Sequence, residues 1–224
     1  MISLMQFIEL AGAIGTFGLA LVAFWNIFKP LKPKIIISYG TTGEYLSQLE
    51  DSCSSPPVGG ESCQYYIFRL KVENRKKFTS LYAKKLYLRF MEISKLDQNG
   101  KWERLVPFNP FMLRWTSTTM QNDLFYNDLG KGEYLYANFF TIKSFFAPMD
   151  NKTIVKSEMF PGHEGIRDIA LPAGFPRKKL NEGGSFKFKI GVFGENMKGK
   201  EFNYKVTFEA SQNKDQPKID IREM

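Results

Sequence analysis

Residues Phe186–Phe208, FKFKIGVFGENMKGKEFNYKVTF, decide the fold class of this chain. Phe186, Phe188, Ile190 and Val192 alternate with Lys187 and Lys189. After a turn at Gly194–Lys200, Phe202, Tyr204, Val206 and Phe208 alternate with Asn203, Lys205 and Thr207. Successive side chains of a strand point to opposite faces, so period-two alternation gives each strand one buried and one wet face. Two such runs joined by a Gly-containing turn predict an antiparallel hairpin.

The same pattern recurs upstream. In Tyr65–Asn74, Tyr66, Phe68, Leu70 and Val72 share one face and Arg69, Lys71 and Glu73 the other. Lys84–Ile93 repeats it with Leu86, Leu88 and Phe90 inward, and Glu133–Thr141 is a further strand candidate. Lys34–Tyr39, with three successive isoleucines, reads as the first strand, and 40–64 as a loop-rich stretch. Aromatic residues make up 15% of the chain, including 21 Phe and 10 Tyr, and such side chains suit a pleated, half-buried surface. Several strands with turn signals and almost no helical period predict an all-β sandwich or barrel. Residues 142–184, with Phe145, Phe146, Pro148, Pro161, Gly162, Pro172 and Pro176, fit this pattern least and read as an irregular insertion.

The N-terminus reads differently. Residues 10–28, LAGAIGTFGLALVAFWNIF, carry no charged side chain. As a helix they reach about 28 Å, close to the roughly 30 Å hydrocarbon layer of a bilayer. Leu10 opens the run and Trp25 stands near its end, where an interfacial aromatic belongs. Lys29, Lys32 and Lys34 follow, spaced by Pro30 and Pro33, which stop the helix. The expected organisation is a transmembrane helix over 1–28, a basic Pro/Lys linker over 29–34 and a β-sandwich domain over 35–224. A cleaved signal peptide would carry a positive n-region, and none is present. A soluble buried helix is a poor fit to an uncharged run with three glycines. Gly12, Thr16 and Ala20 recur every fourth residue, as do Ala11 and Gly15, a spacing that lets a second helix approach closely. Lysines follow the span and none precedes it, so the positive-inside rule favours a cytoplasmic C-terminal domain, while the cysteine pair favours the opposite sense.

Formal net charge is +8, spread along the domain without a long basic run. That suits a domain beside an anionic leaflet; no recognised motif supports nucleic acid as a partner. Cys53 and Cys63 flank a Ser/Pro/Gly-rich loop that a disulfide would close in an oxidising compartment. Two cysteines and one histidine fall short of a zinc site, so no metal or other cofactor is expected.

The stretch RLKVENRKKFTSLYAKKLYLRF, Arg69–Phe90, resembles the strand–turn–strand of prokaryotic immunoglobulin-like accessory domains of the CARDB-like kind. Val72, Asn74, Ala83 and Leu86 carry the match, and Trp115 with Asp128-Leu129-Gly130-Lys131-Gly132-Glu133 is similar to the later Trp and Asp-x-x-x-Gly-Glu turn. The likeness covers residues 65–141 and departs at Lys76 and Lys77, where Gly is usual. It implies an immunoglobulin-like antiparallel sandwich that serves as a spacer or binding module.

Catalytic signals are sparse. His163, in Phe-Pro-Gly-His-Glu-Gly, is the only histidine, and nothing like Gly-x-Ser-x-Gly places Ser157 or another serine with it. There is no P-loop, dinucleotide fingerprint or His-Glu-x-x-His. Phe139-Phe140 and Phe145-Phe146 read as core packing ahead of a ligand wall. The expected function is a membrane-anchored, non-catalytic interaction module, binding the bilayer and a protein partner or a second copy through its helix. The alternative is a membrane-tethered enzyme, ligand-binding domain or sensor that uses 142–184.

Overall fold

The computed structural model describes residues 4–28, 32–51, 63–75, 81–106, 110–116, 125–147, 150–162, 177–209 and 218–224. A helix, α1 (Leu4–Phe28), comes first. Strands β1 (Ile35–Tyr39), β2 (Leu46–Asp51), β3 (Cys63–Asn74), β4 (Ala83–Leu96), β5 (Trp102–Arg104), β6 (Phe111–Met112), β7 (Asn127–Leu129), β8 (Tyr134–Ala147) and β9 (Asp150–Pro161) follow. A short helix, α2 (Arg177–Asn181), precedes β10 (Gly184–Gly194), β11 (Met197–Glu209) and β12 (Lys218–Glu223).

The strands form two antiparallel sheets. In the first, β3 and β8 are central, β9 flanks β8, and β1 and β2 share one edge of β3. β1 pairs with β3 from Asn74 to Leu70 and β2 from Phe68 to Cys63, so together they act as one edge strand interrupted at 40–45. The second sheet runs β12-β11-β10-β4, and β5, β6 and β7 line the free edge of β4 in turn. Between the sheets lies an aromatic core. Phe139 of β8 meets Phe188 of β10 at 5.6 Å and Tyr204 of β11 at 5.4 Å, ring centre to ring centre. Phe90, Phe139, Phe140, Phe186 and Phe188 are fully buried. Edge-to-face and offset geometries of this kind favour aromatic rings beyond the area they bury.

After β6 the chain leaves β4 and continues along β8. The Leu113 N–H donates to the Leu88 carbonyl (2.9 Å), and the Asn138 N–H of β8 donates to the Arg114 carbonyl (2.9 Å). Trp115, 1% exposed, then bridges to Ala137. Its indole N–H donates to the Phe125 carbonyl at 3.0 Å, so a large ring fills the core without an orphaned donor.

The residues that carried the family likeness are pins at one end of the sandwich. Asn74, fully buried, accepts from the Lys34 N–H (3.1 Å) and donates to the Leu81 (2.7 Å) and Leu129 (3.1 Å) carbonyls. It thereby ties β1, the β3–β4 connection and β7 together. Asp128 accepts from the Lys85 N–H at 2.7 Å, at a bulge where Lys85 takes a φ of +46°. Glu133 Oε2 accepts from the Gly130 N–H at 2.6 Å, and Gly132, at φ +83°, closes that turn.

Several expectations need correction. Residues 142–184 are not irregular throughout: β8 continues to Ala147, and β9 pairs with it from Pro161 to Asp150. The missing alternation in β9 reflects its partner, since Ser157 is buried against Ser144 (3.0 Å between hydroxyls) where an apolar residue would be looked for. Residues 163–176 lie outside the described residues. The stretch 40–64 also carries β2 and the start of β3. The last hairpin turns on Glu195 and Asn196 alone, tighter than Gly194–Lys200, because β11 pairs with β10 from Met197 onward. β12, in which Ile219 and Ile221 face inward, had no forecast.

α1 covers 25 residues. Its described side chains, Met5 and residues 11–25, are all exposed. Among the described residues, no helix is long and apolar enough to cross a membrane.

Candidate functional site on the five-stranded sheet

The interruption between β1 and β2 builds a polar cluster on the domain surface. Residues 40–45 leave the ladder, with a 3₁₀ turn at Gly43–Tyr45. Gly43 adopts φ +61° at its start. Gly40 lies under the Tyr45 ring, where an added Cβ would come within 2.7 Å of it. The excursion carries Glu44 over the outer face of β3 and β8, where Lys71 and Tyr136 are direct cross-strand partners. Lys71 Nζ donates to Glu44 Oε1 at 3.1 Å, and the Tyr136 hydroxyl donates to Glu44 Oε2. Lys71 also sits 4.2 Å from the Tyr134 ring centre, a cation–π contact. Tyr45 packs edge-on to Tyr136 at 6.4 Å.

The electrostatics of this cluster fit recognition better than turnover. The Tyr136 hydroxyl is pushed up to about 12, by burial first and by donation to Glu44 second. The Tyr136 hydroxyl and then Lys71 hold the Glu44 carboxyl below its ordinary value. Its bond to Glu44 raises the Lys71 ammonium. Each shift locks its group further into its ordinary protonation state. A general acid, base or amine nucleophile needs the opposite displacement, toward neutral pH. Two residue pairs along, Arg69 of β3 faces Asn138 of β8. Arg69 Nε and Asn138 Oδ1 are buried without a hydrogen-bond partner among the described residues. Burial lowers the Arg69 value. A donor and an acceptor are thus left open beside the Glu44 cluster.

The sequence-predicted residues are placed as follows. Leu10, Gly12, Gly15, Thr16, Ala20 and Trp25 all belong to α1. A Cβ added at Gly12 or Gly15 would meet nothing within 4 Å, and the Thr16 hydroxyl donates back to the Gly12 carbonyl at 2.9 Å. Lys32 and Lys34 are exposed, while Lys29, Cys53 and His163 lie outside the described residues. Cys63, 3% exposed, is held in a disulfide, and Cys53 is the chain's other cysteine. Ser157 is buried in β9, and Phe139 and Phe140 are core residues. Phe145 is half-buried, with Lys143 Nζ 4.9 Å from its ring. Among the described residues no group of His, Cys, Asp and Glu could hold a metal. Sequence reading missed Glu44 and Tyr136. Lys71 was legible only as a member of a wet strand face, because its partners lie 27 and 65 residues away in the chain.

Comparison with family models, with curated proteins and with solved structures finds no match to this chain. The fold and site define an all-β protein of two packed antiparallel sheets preceded by an exposed helix.

Proposed function

We propose that the chain is a single-pass membrane protein whose immunoglobulin-like β-sandwich serves as a non-catalytic binding module. The observation that carries this reading is the surface of α1. Every described side chain from 11 to 25 is exposed, and Ile14, Phe17, Leu19, Phe24 and Trp25 are 59–74% exposed. A helix that is apolar on all sides is unfavourable in water and suited to lipid. Its uncharged part, residues 10–28, reaches about 28 Å at 1.5 Å per residue, against a hydrocarbon layer of roughly 30 Å. The uncovered face at Gly12 and Gly15 supports self-association or a partner helix as the assembly surface. The non-catalytic part of the reading is supported by the Glu44–Lys71–Tyr136 cluster, whose shifts disfavour proton transfer near neutral pH.

The lysines after the span favour a cytoplasmic domain by the positive-inside rule. A second reading, with the domain on the oxidising side, is favoured by the disulfide at Cys63. A reporter fused after Met224 decides between them, alongside modification of the cysteines by an impermeant thiol reagent. A reporter active only in the cytoplasm, with thiols that react once the membrane is opened, supports the first. A reporter active only outside, with cysteines that react only after reduction, supports the second.

A further inference from the structure

We propose that the end of the sandwich where β1 begins docks on an anionic bilayer surface, with Leu81, Tyr82 and Tyr134 at the headgroup level and Arg75, Lys84 and Lys131 against the lipid phosphates. The inference rests on α1 as the membrane anchor and adds a second, separable contact.

The topology gathers these residues. The Arg75 N–H donates to the Lys34 carbonyl at 2.9 Å, which places the end of β3 beside the entry to β1. Asn74 grips the Leu81 carbonyl, and Asn196, in the β10–β11 turn, grips the Tyr82 carbonyl at 2.6 Å. The Gly132 N–H donates to the Asn74 carbonyl at 2.7 Å, bringing in the β7–β8 turn that bears Lys131 and leads to Tyr134. The described residues of these turns are therefore fastened to one another, and six residues separate α1 from β1.

Outside α1, large exposed hydrophobic side chains are few among the described residues, and four of six lie at or beside this end. Leu81 is 40%, Tyr82 47%, Tyr126 43% and Tyr134 51% exposed. Tyrosine, with an apolar ring and a polar tip, suits the boundary between headgroups and hydrocarbon.

Charge distinguishes the two ends. Arg75, Lys84, Lys131 and Lys198 are exposed and make no ion pair among the described residues. The carboxylates at this end are fewer than its cations: Asp128 and Glu133 accept backbone N–H groups, Glu195 pairs with Lys85 Nζ, and Glu73 is half-buried. At the opposite end cations are matched by acids, as in Lys95–Glu182 (2.8 Å), Lys218–Glu209 (3.3 Å) and Lys179–Glu103 (3.8 Å). An anionic leaflet attracts unpaired basic residues within about a Debye length of its surface.

The test uses the full chain reconstituted in phosphatidylcholine vesicles with or without phosphatidylglycerol. One nitroxide is placed at Tyr82→Cys, and another, as control, at Asn99→Cys in the exposed turn at the far end of β4. With anionic lipid, the label at 82 is expected to become at least about threefold less accessible to a water-soluble relaxant, and the label at 99 to stay unchanged. Lys84→Glu with Lys131→Glu is expected to abolish the difference at 82 while the protein still floats with the vesicles. Equal accessibility at 82 and 99 in protein that floats overturns the docking proposal and leaves the anchor standing. Protein that fails to float overturns the anchor and, with it, the docking built on it.

Discussion

At the residue scale, four side chains have consequences out of proportion to their size. Asn74 satisfies one N–H and two carbonyls from three separate segments while fully buried. Asn74→Ala leaves those groups unpaired, and the expected loss is about 3 kcal/mol, read as a lower urea midpoint. Tyr204 is the opposite case. Its hydroxyl is buried without a partner among the described residues, and burial pushes its titration upward. Tyr204→Phe removes an uncompensated polar atom while keeping the ring, so the variant is expected to be about 1 kcal/mol more stable in the same melt. Tyr136 ties the Glu44 cluster to pH. Folding raises its value, so its contribution to stability is whole below 10 and is lost as pH climbs through about 12. Glu44 runs the other way: its value is lowered, so its contribution is present above 4.5 and fades as pH falls below that. Tyrosine ring-carbon NMR should show Tyr136 titrating near 12. Glu44→Gln should bring that midpoint down only part of the way, because burial is the larger cause.

At the element scale, legibility followed periodicity. β4, β10 and β11 bury one side more than the other, as β3 does from Phe68 to Asn74, and their alternation is plain in the residues from Phe68 to Val72 and Phe186 to Phe208, whereas Tyr65 to Phe68 are buried on both sides of β3. β9 carries no such signal, because its place is set by pairing with β8 and its buried face includes Ser157. β5, β6 and β7 are two or three residues long, too short for any period, and exist only as patches on the edge of β4. The Glu44 site was hidden for a related reason. It is created where an edge strand breaks, and a break reads in sequence as ordinary loop. Helix α1 was legible from the uncharged run at 10–28, and its three open glycines, Gly12, Gly15 and Gly18, allow a direct test. Gly15→Ile adds bulk where nothing within the chain resists it. Cross-linking in vesicles should show self-association weakened by about tenfold, as expected when a small-residue contact between helices is blocked. Undiminished cross-linking would remove this face as the assembly surface.

At the scale of the whole molecule, two physically different surfaces are joined by a six-residue link. One is a helix whose described side chains are exposed and mostly apolar, the other a two-sheet domain whose aromatic residues are turned into a shared core. The domain satisfies its own hydrophobic demand, as the cross-sheet packing of Phe139 with Phe188 and Tyr204 illustrates. The helix does not, and a bilayer is the environment that would relieve it. The most direct measurement is alkaline extraction of membranes from cells expressing the full chain. The account predicts that the protein stays in the membrane pellet at pH 11, as a lipid-spanning helix requires and a surface-bound protein does not. Quantitative release into the supernatant, in a domain that remains folded, would contradict it.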